Sequence, residues 1–134
     1  MIQKYPRHQI LDSRGCLEFI EFDSSFPFTP KRVYFLSDVP SGQNRGLHAH
    51  KELEQVIVCL QGSLDFKVND SRSQELFHLS SDSDGFYIPP GVWRELRNFE
   101  KNTVVMVIAS KHFDEDDYIY DLDQFKVWAS AKLK

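Results

Sequence analysis

His48-Ala49-His50, inside the stretch Arg45-Gly46-Leu47-His48-Ala49-His50-Lys51, holds the residues of this chain best suited to chemistry. On an extended strand, residues two apart project to the same face, ~7 Å apart, so both imidazoles would share one wall of a cavity. Histidine accepts and donates a proton near neutral pH, and it is also a common metal ligand. The pair therefore fits two uses, proton transfer or half of a metal site. His8, His78 and His112 have no such company and read as surface residues.

The rest of the chain reads as many short strands separated by turns. Segments 16–22, 32–36, 55–60, 64–68, 75–79 and 103–110 are rich in β-branched, aromatic or alternating apolar residues. Gly62, Asn69-Asp70, the 82–85 segment and Pro89-Pro90-Gly91 supply turn chemistry between them. Only the C-terminus looks helical: Leu122, Phe125, Trp128, Ala129 and Leu133 fall near a 3.6-residue stripe, and the acidic run 114–117 reads as the helix start. The expectation is an all-β barrel or two-sheet sandwich with a short C-terminal helix.

The 134 residues, 41% hydrophobic and 13% aromatic, suffice for one domain over 1–134, and no linker or repeat divides them. The net charge of −4 argues against a nucleic-acid polymer as partner. The apolar runs 56–60 and 104–109 are too short to cross a bilayer, and the charged N-terminus lacks the apolar region of a secretion signal. Cys16 and Cys59 then read as buried free thiols of a cytoplasmic protein without membrane contact.

In order along the chain, His48, His50 and Gly62 resemble the first motif of the cupin superfamily, and Pro89, Gly91 and Asn98 its second. The resemblance implies a jelly-roll barrel that brings both motifs to one cavity. Two positions depart from it. Gln55 stands where an acidic ligand is expected, and Arg94 where a third histidine is expected. A guanidinium cannot ligate a metal and would oppose its charge. The site therefore reads as metal-free, with His48, His50 and Glu54 as the alternative ligand set if the strand carries a bulge.

At a finer level the chain resembles the dTDP-4-keto-6-deoxyglucose 3,4-ketoisomerases within the cupins. The residues that carry this are Asp12-Ser13-Arg14-Gly15, Lys31-Arg32-Val33-Tyr34, the histidine stretch, Glu54-Gln55-Val56, Pro90-Gly91-Val92-Trp93 and Asp114-Glu115-Asp116-Asp117-Tyr118. The resemblance implies an intertwined homodimer and movement of a sugar ketone from C4 to C3 through an enediol, in a pathway toward 3-amino-3,6-dideoxy sugars of surface polysaccharides or glycoconjugates. No redox cofactor is expected, and no GxGxxG or P-loop spacing is present.

His48 would act as the carbon base and His50 as proton shuttle or oxyanion partner, with the two interchangeable. Arg94 or Tyr34 would stabilise the enediolate. Arg14, Arg32 and Arg45 are diphosphate candidates, since the guanidinium fork suits phosphate oxygens. Lys51 and Gln55 complete the substrate-binding set for a dTDP-linked 4-keto-6-deoxy sugar, with a lean to the galacto product. Bland readings stand beside these. Arg94 could pair with Glu95 or Glu54, Tyr34 could be core, and Trp93 and Trp128 read as core or dimer contacts. The rival functions are a metal-dependent cupin enzyme, a sugar-nucleotide epimerase, and a non-catalytic sugar-nucleotide sensor.

Overall fold

Alternation of apolar and polar side chains dictates the layers. In β7 (Ser63–Asn69), Leu64, Phe66 and Val68 are buried while Asp65 and Lys67 turn outward. The computed structural model, which describes residues 2–132, arranges ten strands in two antiparallel sheets. One runs in the order β1 (Gln3–Tyr5), β9 (Gly85–Ile88), β6 (Gln55–Gln61), β11 (Val104–Ala109), β4 (Arg32–Leu36). The other runs β12 (Tyr118–Ile119), β5 (Arg45–His50), β10 (Trp93–Arg97), β7, β8 (Gln74–Ser80). Their inner faces meet in one apolar cluster that includes Ile57, Phe86 and Val105 from the first sheet and Leu64, Phe66 and Leu96 from the second. The all-β class and the terminal helix agree with the sequence reading.

The β6–β7 hairpin shows why one turn glycine is obligatory. Gly62 has φ +77°, and a Cβ there would lie 2.3 Å from the Thr103 hydroxyl. That hydroxyl in turn donates to Glu100 O at 2.6 Å and accepts from the Ser63 N–H at 3.2 Å, so the turn is locked from both sides.

Two expectations need correction. The helix, α1 (Leu122–Lys132), starts eight residues beyond Asp114, and its first turn is capped by Asp121, whose carboxylate accepts from the Gln124 N–H at 2.9 Å. The acidic run instead forms a 3-10 turn, Glu115–Asp117, capped by Asp114, because Tyr118 and Ile119 are drawn into pairing with His50 and Ala49. Phe125 and Ala129 bury one face of α1 against Trp93, Ala49 and Ile119; Leu133 lies outside the described residues. Cys59 is buried as expected, but Cys16 is exposed. It sits on β3 (Gly15–Phe19), which pairs only with β2 (His8–Asp12) in a hairpin standing off the sheets. Among the described residues no helix is long and apolar enough to cross a membrane.

Arg7 fixes that hairpin to the barrel. Its Nε and Nη2 donate to the Glu18 carboxylate at 2.7 and 2.6 Å, while Nη1 faces the carbonyls of Cys59, Ser80, Ser81 and Ser83 at 2.9–3.3 Å. Removing a buried cation with this many acceptors strands each of them. Arg7→Ala is expected to cost about 2–4 kcal/mol in urea unfolding followed by tryptophan fluorescence; an unchanged midpoint would show that the clamp is idle.

Candidate active site

A cavity of about 460 Å³ lies between the sheets. The edge strand β4 lines one side with Arg32, Tyr34 and Leu36, which share a face by the two-residue strand period, while Val33 and Phe35 point outward. Asn44 to His48 line the opposite side, and Gln55, Ile57, Arg94 and Leu96 reach in from β6 and β10.

A bulge sets the position of His48. Between β5 and β10 the partners shift from Leu96↔Arg45 to Arg94↔His48, so three steps on β5 match two on β10. The extra residue is absorbed at Gly46 and Leu47, with φ +85° and +41°. Gly46 also packs closely on Arg94, since a Cβ there would just touch Arg94 Cγ and Arg94 O, each at 3.4 Å. Beyond the bulge His48 and His50 do not share the cavity wall equally. His48 lines the cavity, whereas His50 is 0% exposed and lies beneath Tyr118, ring centroids 4.3 Å apart. The two imidazoles meet edge to face at 4.7 Å.

The electrostatics make His48 a neutral base with a defined tautomer. Its Nδ1 hydrogen-bonds Gly46 O. A carbonyl can only accept, so the hydrogen is on Nδ1 and the Nε2 lone pair is free. Burial, then the Arg94 charge, brings the His48 pKa down to about 4, against the opposing pull of that carbonyl. Burial and Arg94 also hold His50 far below the usual imidazole range. Its Nδ1 lies 3.3 Å from Asp117 Oδ2, out of line for a hydrogen bond. Asp117 is itself buried, accepting from the Glu52 and Leu53 N–H groups at 2.8 and 3.2 Å.

Arg94 is the opposite pole. It is 4% exposed, and its Nη1 donates to Gln55 Oε1 and its Nη2 to Val92 O at 3.3 Å, with Nε unpartnered. Among the described residues no carboxylate comes within ion-pairing distance of it. Glu54 accepts from the Tyr87 hydroxyl at 2.6 Å, and Glu95 is held by Arg97 and Trp93, so neither supplies the ion pair considered from the sequence. Burial lowers the Arg94 pKa to about 10, which leaves it charged. Gln55 passes the connection on, its Nε2 donating to the Tyr34 hydroxyl at 3.0 Å.

Comparison with known proteins now decides the family. Residues 3–130 match the family described as FdtA: WxcM-like, C-terminal. A TDP-4-oxo-6-deoxy-alpha-D-glucose-3,4-oxoisomerase from Aneurinibacillus thermoaerophilus is 45% identical over 88% of this chain and 85% of its own length. The chain belongs to the sugar 3,4-ketoisomerase family. QdtA, a sugar 3,4-ketoisomerase from Thermoanaerobacterium thermosaccharolyticum solved in complex with TDP, superposes with TM-score 0.93 at 35% identity, covering 99% of this chain and 97% of that one. A histidine-to-asparagine mutant of QdtA, solved in complex with TDP-4-keto-6-deoxyglucose, gives TM-score 0.93 at 35% identity over 98% and 95%. The chain is thus an isomerase with the cupin jelly-roll fold.

The remaining site candidates of this ketoisomerase divide sharply. Arg32 and Arg45 line the cavity, and the Arg32 guanidinium lies over the Tyr34 ring at 5.3 Å. Two candidates fall elsewhere. The Arg14 side chain is 88% exposed at the tip of the β2–β3 hairpin, bound to Asp12 at 2.7 Å, and no residue of that hairpin lines the cavity. Lys51 is exposed and lines a separate depression with Gln124 and Trp128. Sequence reasoning missed Phe113, Tyr118 and Tyr120. Tyr118 and Tyr120 stack at 5.2 Å with planes 15° apart, and all three line the cavity. Their Tyr-x-Tyr spacing was the available signal. Among the described residues no three His, Cys, Asp or Glu side chains converge to hold a metal, and Glu54, needed for the alternative ligand set, is engaged with Tyr87.

Side-chain ¹⁵N NMR of histidine tests this geometry directly. His48 is expected as the Nδ1–H tautomer, titrating near pH 4 rather than near 6.5, with Arg94→Met moving the midpoint up toward neutrality. A His48 midpoint above 6 in the unaltered protein would contradict the arrangement.

Proposed function

We propose that this enzyme moves the keto group of dTDP-4-keto-6-deoxy-D-glucose from C4 to C3 and releases the galacto-configured 3-keto sugar. The observation that carries the reading is a neutral, tautomer-fixed His48 facing a buried Arg94 that has no carboxylate partner. His48 Nε2 takes the C3 proton, and the C–H electron pair moves into a C3–C4 double bond as the C4 carbonyl becomes an oxyanion. That charge forms against Arg94, whose burial makes its field strong. Tyr34 keeps its hydroxyl proton, since burial raises its pKa, and Gln55 leaves that proton free to donate. It passes its proton to O4 and takes one from O3. The O3 anion then collapses to the new ketone while His48 returns its proton to C4. Electrons and protons balance within the sugar, so the reaction needs no redox cofactor. His50, packed against His48 from behind, steadies the ring rather than touching the sugar.

One base supports the galacto outcome. In the gluco substrate the C3 hydrogen and the C4 hydrogen of the galacto product lie on the same ring face, whereas the gluco C4 hydrogen lies on the other. Since His48 alone of the pair lines the cavity, the proton leaves and returns on one face. Arg32 and Arg45 suit the diphosphate, and Phe113 and Tyr120, exposed at the rim, offer flat faces for the thymine.

Proton NMR in H₂O and D₂O, on protein treated with chelator, tests the reading. The expected result is a 3-keto product whose C4 keeps the protium taken from C3 even in D₂O, and whose H4 shows the small H4–H5 coupling of an equatorial hydrogen. A large coupling would overturn the one-face mechanism. His48→Asn is expected to lower kcat about 10²–10⁴-fold while TDP still binds. An unchanged substrate in folded, TDP-binding protein would favour the sensor.

The dimer is part of the same proposal. Ile10, Leu11 and Leu17 of the hairpin are exposed, Leu11 at 74%, beside an apolar groove of about 370 Å³ formed by Phe19, Val33, Leu60 and Met106 among others. A second copy of the chain would cover both. Sedimentation is expected to give a dimer that Leu17→Glu weakens; a monomer at micromolar concentration would contradict it.

A further inference from the structure

The cavity has two unlike ends. At the level of the reacting groups, Tyr34, Gln55, Arg94 and His48 form a polar cluster tied by the Arg94–Gln55–Tyr34 hydrogen bonds. Two residues further along the same three strands stand Leu36, Ile57 and Leu96, and Val107 on β11, paired with Ile57 on one side and with Tyr34 on the other, joins this end to the polar one. These four belong to one contiguous apolar cluster, and Ile57, Leu96 and Val107 are each no more than 5% exposed. The polar side chains nearest that end, Asn44 and Arg45, are exposed at the rim.

The reacting edge of the sugar also has unlike neighbours. Beyond C3 lies C2 with its hydroxyl. Beyond C4 lies C5, which carries the C6 methyl. If the sugar lay with C2 toward Leu36 and Leu96, its hydroxyl would be buried without a partner, and the methyl would sit among Arg32, Tyr34 and Tyr118. The reverse placement satisfies both. Burying an unpaired hydroxyl costs about 1–3 kcal/mol, and burying a methyl is favourable, so the two orientations are well separated.

We infer that Leu36, Ile57, Leu96 and Val107 form the subsite for the C6 methyl, and that this subsite both fixes which way the sugar lies and selects 6-deoxy over 6-hydroxy hexoses. The inference rests on the proposed nucleotide-sugar substrate. Orientation matters to the chemistry, because turning the sugar end for end would exchange C3 and C4 at His48 and Arg94. The enzyme would then offer its base to a carbon that bears no hydrogen. The apolar end is therefore a specificity determinant and a positioning device together.

Isothermal titration with dTDP-6-deoxy-D-glucose and dTDP-D-glucose isolates the effect, since the two differ only by the C6 hydroxyl and neither carries a ketone to react. TDP alone serves as the reference ligand. The unaltered enzyme is expected to bind the 6-deoxy ligand about ten- to hundredfold more tightly, the range open to an apolar pocket that must reject one added hydroxyl. Leu96→Thr should shrink that ratio with little change in TDP affinity. Leu36→Thr, at a half-buried edge position that tolerates change, serves the same purpose if the deeper variant unfolds. Equal affinities in the unaltered enzyme, or a ratio preserved in the folded variants, would overturn the subsite. Failure of TDP itself to bind would overturn the substrate reading, and this inference with it.

Discussion

The buried guanidinium of Arg94 is the constraint around which the site is organised. A cation removed from water costs several kcal/mol unless its donors are met, and here Nη1 and Nη2 are met by an amide and a carbonyl rather than by an acid, while Nε is left without a partner. The uncompensated charge has three consequences. It lowers the proton affinity of both histidines. It leaves the cavity positive and receptive to an oxyanion or a diphosphate. It also occupies the ground that a divalent cation would need, so charge repulsion and missing ligands oppose a metal together. Gly46 belongs to the same design, because its φ of +85°, which residues with a Cβ rarely adopt, forms the bulge packed against the Arg94 stem.

Local backbone strain links that charge to stereochemistry. Leu47 at φ +41° occupies a region that a branched side chain adopts at a cost of roughly 1 kcal/mol or more, and it persists because the β5–β10 pairing on both sides over-determines it. The returns are the Gly46 carbonyl under His48 Nδ1 and a ring held at one wall of the cavity. A regular strand would lack that hydrogen bond, and the imidazole would be free to choose either tautomer. One bulged residue thus decides which nitrogen is basic and, in the proposed mechanism, from which side the sugar would be approached.

Much of this was legible in the sequence, for physical reasons that can be named. Strong alternation, as in β7, reports a surface buried on one side only, and such strands were found. β10 was not found, because Arg94, Glu95 and Arg97 give it the composition of a loop although Arg94 and Glu95 are buried. The two-residue period correctly put His48 and His50 on one side of β5. It could not report depth, which depends on Tyr118 arriving from 68 residues away to roof over His50. The acidic run was misread for a similar reason. Its charge pattern suits a helix start, whereas Asp117 is turned inward to hold the Glu52-Leu53 backbone, a long-range demand invisible in the run itself. Arg14 and Lys51 sit within motif stretches, but motif membership carries no direction, and both side chains point away from the cavity.

A base of pKa near 4 is a weak one, and its role must be judged with the acid it faces. Arg94 lowers the proton affinity of His48 in the free enzyme, and in the mechanism proposed above the same charge would stabilise the enediolate and so raise the acidity of the C3–H bond. The two effects do not cancel. The histidine loses a part of its basicity to burial and to a cation at some distance, whereas the oxyanion forms in contact with the cation at low dielectric, where the interaction is strongest. Once the enediolate exists, Arg94 is neutralised by it and the new imidazolium gains a counter-charge across the cavity, so the proton affinity of His48 rises as the proton arrives. The base is weak before the reaction and stronger during it. In the proposed mechanism that ordering would keep His48 unprotonated while the site is empty and let it hold the proton just long enough to return it to C4.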